Sequence, residues 1–410
     1  MSAVILDEPS LIRQINFVLF WLARVLSTSC FQIVSVVIGW QIYALTNSTF
    51  DLGFVGLCQF LPMVLLTIPA GHIADRFDRR VVVRTCQCIE GLTGAALALA
   101  SHFGMISPHV IFAAAAVIGA CRTFEAPTVS ALLPMVVNSS ILPKALALSA
   151  SAIQTATIIG PALGGLLYIA GPGAAYIFIA IFYLLAGTLV SALRIVVPPA
   201  AREPPTLKSV FSGFGFIRSR PIILGAISLD MVAVLLGGAT ALLPVYARDI
   251  LHTNSFGLGV LRASPAVGAL LMSLVLTRWP MKTRVGLKMF VAVATFGVAT
   301  MVFGISSWFP LSMAGLIVMG SADVVSVVVR STLVQLSTPD GMRGRVSAVN
   351  SMFIGTSNQL GEFESGMTAW LLGTVPAVIL GGAGTVLVAL LWSQLFSPLR
   401  DADTFPDKSA

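Results

Sequence analysis

The chain has 410 residues, of which 57% are hydrophobic and only 10% are Asp, Glu, Lys or Arg. Soluble globular proteins carry about 25% charged residues, so this composition excludes a disordered chain and an ordinary soluble enzyme. The five cysteines are an odd number within apolar sequence, which argues against a disulfide scaffold. A soluble domain with so few charged residues would expose large apolar patches to water, so we expect this chain to lie in a lipid bilayer. Its net charge is +7.

Taken in chain order, the apolar sequence divides into runs long enough to cross a bilayer, which requires about 20 helical residues. The runs are continuous rather than alternating, so they predict helices and not the strands of a barrel. A Gly-Pro-Gly break at Gly171, Pro172 and Gly173 divides the uncharged stretch Ala145 to Leu193 into two spans. We predict an all-α membrane protein with twelve transmembrane helices, at 15–43, 51–71, 81–101, 109–135, 146–170, 174–194, 221–246, 256–278, 285–306, 310–335, 346–370 and 376–397.

The Lys and Arg residues predict which face of the membrane each loop occupies. With both termini in the cytoplasm, nineteen of the 24 basic residues fall in cytoplasmic segments and one, Arg248, falls in an external loop. Cytoplasmic loops of membrane proteins are enriched in Lys and Arg. The asymmetry predicts a multi-pass protein with both termini in the cytoplasm.

The two halves of the chain resemble each other at an offset of 201 residues. At that offset Gly119 aligns with Gly320, and intramembrane Arg122 aligns with intramembrane Asp323. Parallel repeats of this kind typify one transporter architecture. We predict two pseudo-symmetric six-helix bundles at 1–194 and 221–397, a cytoplasmic linker with a short interfacial helix at 195–220, and a cytoplasmic tail at 398–410.

Ten charged residues fall inside the predicted spans, where each is costly and therefore a functional candidate. Arg122 and Glu125 are three residues apart and can pair on one helix face, either to titrate with protons or only to hold the helix against a neighbour. Glu90 and Arg262 are expected to be charges satisfied by packing partners. Six of the ten lie on the first and fourth helices of the two halves and predict a cavity for proton coupling or substrate: Arg24, Arg122, Glu125, Asp230, Asp323 and Arg330.

Two sequence motifs carry a family resemblance. The segment GHIADRFDRR resembles the signature loop of the major facilitator superfamily, with Asp78 where glycine is usual. This resemblance implies that the loop latches the two halves in one conformation, through Gly71, Asp75, Arg76, Arg79 and Arg80. In the fifth span, ATIIGPALGG resembles the antiporter motif of that superfamily, which implies close helix packing at Gly160, Pro161, Gly164 and Gly165.

The wider pattern, including GWQIYALTNS and GTVPAVILGG, is similar to the enterobactin-exporter branch of the superfamily, related to macrolide-efflux proteins. The resemblance implies a monomeric exporter in the bacterial inner membrane that moves a siderophore or amphiphilic small molecule by proton antiport. Multidrug or macrolide efflux stays open as an alternative, as does a facilitator or importer with the same fold. We expect no enzyme activity, metal, cofactor or nucleic-acid partner, because the P-loop, dinucleotide and hydrolase motifs are absent from the sequence.

Overall fold

The computed structural model of the protein describes residues 14–138, 140–195 and 207–405, apart from the side chains of Ile68, Asp75, Asp340 and residues 207–211. The described residues are predominantly helical and include no β-strand. Six long helices form the first half: α1 (Ile15–Thr46), α2 (Thr49–Arg76), α3 (Arg79–His102), α4 (Pro108–Val136), α5 (Leu142–Ile169) and α6 (Pro172–Ser191).

The second half repeats this architecture after a connecting helix, α7 (Leu207–Ser219). Its helices are α8 (Pro221–Leu236), α9 (Leu243–Val245), α10 (Ser255–Arg278), α11 (Val285–Ile305), α12 (Phe309–Leu336), α13 (Asp340–Leu372), α14 (Thr374–Leu395) and α15 (Ser397–Arg400). Counting α8 with α9 as one span, twelve long spans correspond to the twelve predicted helices. The predicted domain boundaries stay a prediction.

Ten of these spans are long and apolar enough to cross a membrane, judged over the described residues by length and composition. The other two, α3 and α13, are equally long but more polar. The first turns of α3 carry Arg79, Arg80 and Arg84, and α13 contains Glu362 and Glu364. The two spans that look least like lipid-embedded helices are therefore the ones that carry the most charged residues.

The seventh span differs from the continuous helix predicted at 221–246. After α8, the chain passes through Gly237 and Gly238, a 3-10 turn at Ala239–Leu242, the short α9 and a π-helical turn at Tyr246–Ile250. A Cβ atom on Gly238 would lie 2.6 Å from the carbonyl oxygen of Gly361 in α13. The glycine therefore lets two backbones touch at the point where regular helix ends.

The pseudo-symmetry of the halves is visible in their turns. Gly171 begins the connection into α6 with φ +106°, and Gly373 begins the connection into α14 with φ +93°. Both conformations lie where L side chains are disfavoured, so glycine is required at each place. The sixth helix of each half thus starts from the same kind of turn.

The two halves approach each other most closely on one side of the membrane. We call the side that carries the α2–α3 connection, Arg76 to Arg80, the arginine-rich face, and the opposite side, where α1 ends and α10 begins, the far face. Towards the far face, a Cβ on Gly53 of α2 would lie 2.9 Å from the Cα of Gly366 in α13. Ser255, at the start of α10, donates a 2.9 Å hydrogen bond from Oγ to the carbonyl oxygen of Gly165 in α5.

Candidate functional site

Polar side chains link α3 and α4 inside the first half, and an aromatic ring of α1 packs against them. Gln87 donates from Nε2 to Oε1 of Glu125 over 2.9 Å, and Arg122 donates from Nη1 to Oε2 of the same carboxylate over 3.2 Å. The Arg122 guanidinium lies 4.3 Å from the ring centre of Phe31. Both oxygens of Glu125 therefore accept hydrogen bonds. The three-residue spacing predicted the one from Arg122, but the sequence did not predict the one from Gln87.

Burial differs sharply between the two members of that ion pair. The Glu125 side chain is 1% exposed, whereas the Arg122 side chain is 30% exposed. A buried carboxylate is thus joined to a cation that reaches accessible surface. Because the guanidinium has five donors, Arg122 can hold Glu125 and still offer hydrogen bonds to another group.

Arg24 of α1 belongs to the same region. It is half-buried and lines a small cavity together with Ser27 and Gln87. Its guanidinium is within electrostatic range of both Glu125 and Arg122. The first half therefore gathers three of the six predicted residues: Arg24, Arg122 and Glu125.

The prediction that Glu90 is a charge satisfied by a packing partner is wrong. The side chain is 1% exposed, and neither oxygen has a hydrogen-bond partner among the described residues. It lies one helical turn after Gln87 on α3 and within electrostatic range of Glu125 and Arg122. The sequence could not predict which side of α3 faces the protein interior. That orientation depends on Gly91 and Gly94, which let α3 pack closely against α6.

The second half contains a different cluster. Arg330 of α12 donates from Nη1 to Oδ2 of Asp230 in α8, forming an ion pair that spans 100 residues of sequence. Asp230 is 5% exposed and Arg330 is 3% exposed. Asp323 lines a small cavity beside Asp230 and Ser326 and interacts electrostatically with both members of the pair.

The six predicted residues form two groups, one inside each half, and their role in proton coupling or substrate binding stays a prediction. They do lie on corresponding helices, α1 and α4 in the first half and α8 and α12 in the second. Asp230, Arg330 and Glu125 are enclosed by their own bundles because each finds its partner there. Among the described residues, no three His, Cys, Asp or Glu side chains are grouped as metal ligands would be.

Arg262 and Glu362 form a looser pair of opposite charges. The pair lies between the two charged groups described above and the far face. Both are half-buried, and their opposite charges interact between α10 and α13. Glu362 lies directly against α2, since a Cβ on Gly56 would be 2.9 Å from the Glu362 Cβ. This carboxylate therefore sits at the contact between the two halves.

The loop with the superfamily motif binds the ends of its own bundle. Arg79 donates from Nη1 to the carbonyl oxygen of Ala131 over 3.1 Å, and Arg80 donates from Nη1 to that of Leu193 over 2.8 Å. Gly71 is half-buried near the end of α2 and Arg76 is exposed, while the Asp75 side chain lies outside the described residues. These contacts tie the start of α3 to α4 and to the segment after α6 at the arginine-rich face.

Asp78, which stands where the superfamily has glycine, is the N-cap of α3. Its φ of −59° is ordinary for any residue, so the loop does not need glycine here. The carboxylate accepts from the backbone N–H of Arg80 over 2.9 Å and from the Arg80 side chain over 2.6 Å. These hydrogen bonds, the side-chain bond foremost, lower the pKa of Asp78. A helix cap has replaced the tight turn.

The fifth-helix glycines face two different neighbours. A Cβ on Gly160 would lie 2.7 Å from the Cβ of Gln32 in α1, and one on Gly164 would lie 3.0 Å from the Cα of Ile33. Gly165 instead faces α10, at the Ser255 hydrogen bond described above. The carbonyl oxygen of Pro161 also faces α10, against Gly259. The predicted close packing is present, and it divides between the bundle interior and the contact between halves.

At the far face, side chains join the halves directly. Tyr43, near the end of α1, donates from its hydroxyl to Oδ2 of Asp249. Arg248 donates from Nη1 to the Tyr43 carbonyl oxygen over 3.4 Å, and its guanidinium lies 5.5 Å from the Tyr43 ring centre. The one basic residue that the charge distribution assigned to an external loop therefore helps to close the far face.

Sequence comparison identifies the family. A family model described as transmembrane secretion effector matches residues 9–409. The chain belongs to that family. It is 27% identical over 389 residues to the enterobactin exporter EntS of Citrobacter koseri, covering 93% of this chain and 91% of that protein. It is 25% identical to the enterobactin exporter EntS of Escherichia coli O1:K1, with the same coverage.

Solved structures support the fold independently of sequence. A bacterial homologue of the human lysosomal transporter Spinster, in an inward-facing and unoccupied conformation, has a TM-score of 0.71 at 12% identity, covering 94% of this chain and 96% of that one. The nucleoside transporter NupG has a TM-score of 0.67 at 13% identity, covering 93% and 99%. The chain is therefore a multi-pass membrane protein with the fold of the major facilitator superfamily.

Proposed function

We propose that the protein is a secondary active exporter that moves a siderophore, or a similar amphiphilic small molecule, out of the cytoplasm in exchange for protons. The observation that carries this proposal is the similarity to enterobactin exporters along 93% of the chain. The charged clusters inside both halves support it, because intramembrane ionisable residues mark substrate and proton pathways. The energy source is then the proton gradient, with no cofactor, and the working unit is a monomer.

The proposal assigns the arginine-rich face and both termini to the cytoplasm, following the distribution of Lys and Arg. The close approaches of α2 to α13 and of α5 to α10 then seal the outward side. The conformation is therefore inward-facing and ready to receive substrate from the cytoplasm. Outward opening requires the far-face contacts to separate while the loop Gly71 to Arg80 approaches the second half.

In this proposal the two clusters have separate roles. Arg24 and Arg122 attract acidic or catechol oxygens of the substrate, because both guanidinium groups are only partly buried. Glu125 exchanges protons, since its partner Arg122 is the group that substrate would contact. Asp323, beside the Asp230–Arg330 pair, is the titratable group of the second half.

A second candidate is efflux of cationic amphiphilic drugs. The observation that favours it is the carboxylate content of the same sites, with Glu125 and Asp323 each able to attract a cation when ionised. The three arginines of the two clusters favour the anionic substrate instead. A facilitator or importer would have the same fold but no uphill export.

Transport by the purified protein in proteoliposomes tests the proposal. Enterobactin and ethidium serve as the anionic and cationic probes, each with and without an imposed pH gradient. We expect gradient-driven accumulation of enterobactin, and a loss of at least tenfold in Glu125→Gln and Asp323→Asn. Accumulation of ethidium alone would favour drug efflux, and movement of either probe only down its own gradient would contradict antiport. Asp51→Asn, at the first turn of α2, is the matched control.

A further inference from the structure

Among the described residues of the first half, Glu90 of α3 is a fully enclosed carboxylate that has no direct partner. Its side chain is 1% exposed, and neither oxygen is hydrogen-bonded among the described residues. Glu125, the other buried glutamate nearby, has both oxygens occupied by Gln87 and Arg122. An ionised carboxylate without a partner is very costly in such a place, whereas the neutral acid is tolerated. Glu90 is therefore suited to hold a proton.

Every helix around Glu90 contributes a titratable or charged group. From α4 these are Cys121, Arg122 and Glu125; from α1 Cys30; and from α6 Tyr183, all of which interact electrostatically with Glu90. The Tyr183 hydroxyl also has no hydrogen-bond partner within the described part of the chain. Arg122 is the only cation in this set.

Gln87 begins a polar chain one helical turn from Glu90. Its amide donates to Glu125, and its own Oε1 has no partner among the described residues. Gln87 and Glu90 are three residues apart and share a face of α3. From Glu125 the chain continues to Arg122, whose side chain is 30% exposed. Glu90 is not hydrogen-bonded to this polar chain, and a water molecule between its oxygens and the unpaired Gln87 oxygen would complete the path from Glu90 to Glu125.

We propose that Glu90 is the proton store of the first half and that Glu125 relays its proton to the solvent that reaches Arg122. The O–H bond of the Glu90 acid breaks, a bridging water passes the proton to the ionised Glu125 carboxylate, and solvent water at Arg122 then accepts it. Glu90 is left ionised, within the field of Arg122. Reloading follows the same steps in reverse. This inference rests on the proposed proton antiport and adds a residue that its six-residue site does not include.

The test separates coupling from transport itself. Wild type, Glu90→Gln and Glu364→Gln are reconstituted in proteoliposomes with enterobactin, or with ethidium if only that probe is transported. Gln has the shape of the neutral acid but has no carboxyl proton to release. Glu364→Gln is the matched control, a glutamate of α13 that accepts a 2.8 Å hydrogen bond from Thr368. We expect Glu90→Gln to lose gradient-driven accumulation at least tenfold while substrate exchange without a gradient stays within twofold of wild type.

Each of the other outcomes also supports or overturns the role of Glu90. Gradient-driven accumulation that persists in Glu90→Gln overturns the inference and leaves the proposed antiport intact. A wild-type protein that exchanges substrate but ignores the pH gradient overturns antiport and, with it, the role of Glu90. If Glu90→Gln loses exchange as well, Glu90→Asp decides: a displaced pH profile of accumulation supports the proton store, and an unchanged profile contradicts it.

Discussion

The charged clusters of the two halves occupy related positions but have different chemistry. At the 201-residue offset of the repeat, Arg122 corresponds to Asp323 and Glu125 to Ser326. The first half pairs a buried carboxylate with an arginine that is 30% exposed. The second half encloses both members of its ion pair, with Arg330 only 3% exposed. The same scaffold thus carries one ion pair that can change partners and one that is held fixed.

This difference predicts separate consequences for folding and for transport. A fully buried pair is strongly destabilised when one member is removed, because the other charge stays in an apolar interior. A pair with one partly exposed member loses much less when the buried member is removed, since water solvates the charge that remains. Substitutions in the second half should therefore affect stability first, and those in the first half should affect coupling first.

The largest expected effect is on folding, from Arg330→Ala. It leaves Asp230 buried without its partner and should lower the free energy of unfolding by about 3–5 kcal/mol. Thermal unfolding of the purified protein in detergent measures this. Glu125→Gln is the comparison: it leaves Arg122, whose side chain is 30% exposed and can be solvated, and should cost less than half as much. Equal losses from the two substitutions would remove the distinction between the halves.

The double variant Asp230→Leu with Arg330→Met sharpens that result. Removing both charges with apolar side chains leaves no uncompensated ion, so most of the stability lost in the single variant should return. If the double variant is as unstable as Arg330→Ala, then packing rather than unpaired charge explains the loss.

The second prediction concerns the contact that joins the halves. Gly165→Val places a side chain against the carbonyl oxygen of Ser255, where even a Cβ atom does not fit. Overpacking of this kind costs about 1–3 kcal/mol, and the two halves can relieve it by separating at the far face. Spin labels at Leu45 and Phe256 should therefore report longer distances. Gly173→Val is the control, because a Cβ there meets nothing within 4 Å.

We expect Tyr43→Phe to separate the two halves at the far face less than Gly165→Val does. It removes the hydroxyl that donates to Asp249 across the two halves. A hydrogen bond to a charged group contributes about 1.5–3 kcal/mol, so the far-face-open population should rise at least tenfold by the same spin-label measurement. Tyr176→Phe removes a hydrogen bond to Gln41 within the first half and should leave that population unchanged. An effect of equal size in the control would show that loss of a buried tyrosine hydroxyl is sufficient.

The residues themselves explain what could be predicted from sequence. Twelve spans follow from uncharged runs, and the Arg122–Glu125 pair follows from a three-residue spacing. The Asp230–Arg330 pair joins residues 100 positions apart, so no local rule pairs them. Glu90 was misinterpreted because only the packing of α3 on α6 sets which way its face turns.

The smallest effect on stability is expected from the loss of a helix cap. The caps at the arginine-rich face also allow the two halves to be compared. In the first half α3 is capped by its own N-cap residue, Asp78. In the second half the backbone N–H of Arg284, at the start of α11, instead donates to Oδ1 of Asp403 in the tail, over 3.0 Å. Asp78→Ala should therefore cost about 1 kcal/mol, and Asp403→Ala a similar amount through α11.

The pH dependence of the Asp78 effect follows from its lowered pKa, caused first by the side-chain hydrogen bond from Arg80. Because the pKa is lower in the folded state, the stabilisation is complete above the ordinary Asp range and is lost as pH falls through the folded-state value. Wild type and Asp78→Ala should thus differ in unfolding temperature near neutral pH and converge in acid. The side chain is 35% exposed, so solvent screening keeps the ion-pair part small. Asp78→Asn retains a capping oxygen and should lie closer to wild type than to Asp78→Ala. A difference that grows in acid would contradict this account of the cap.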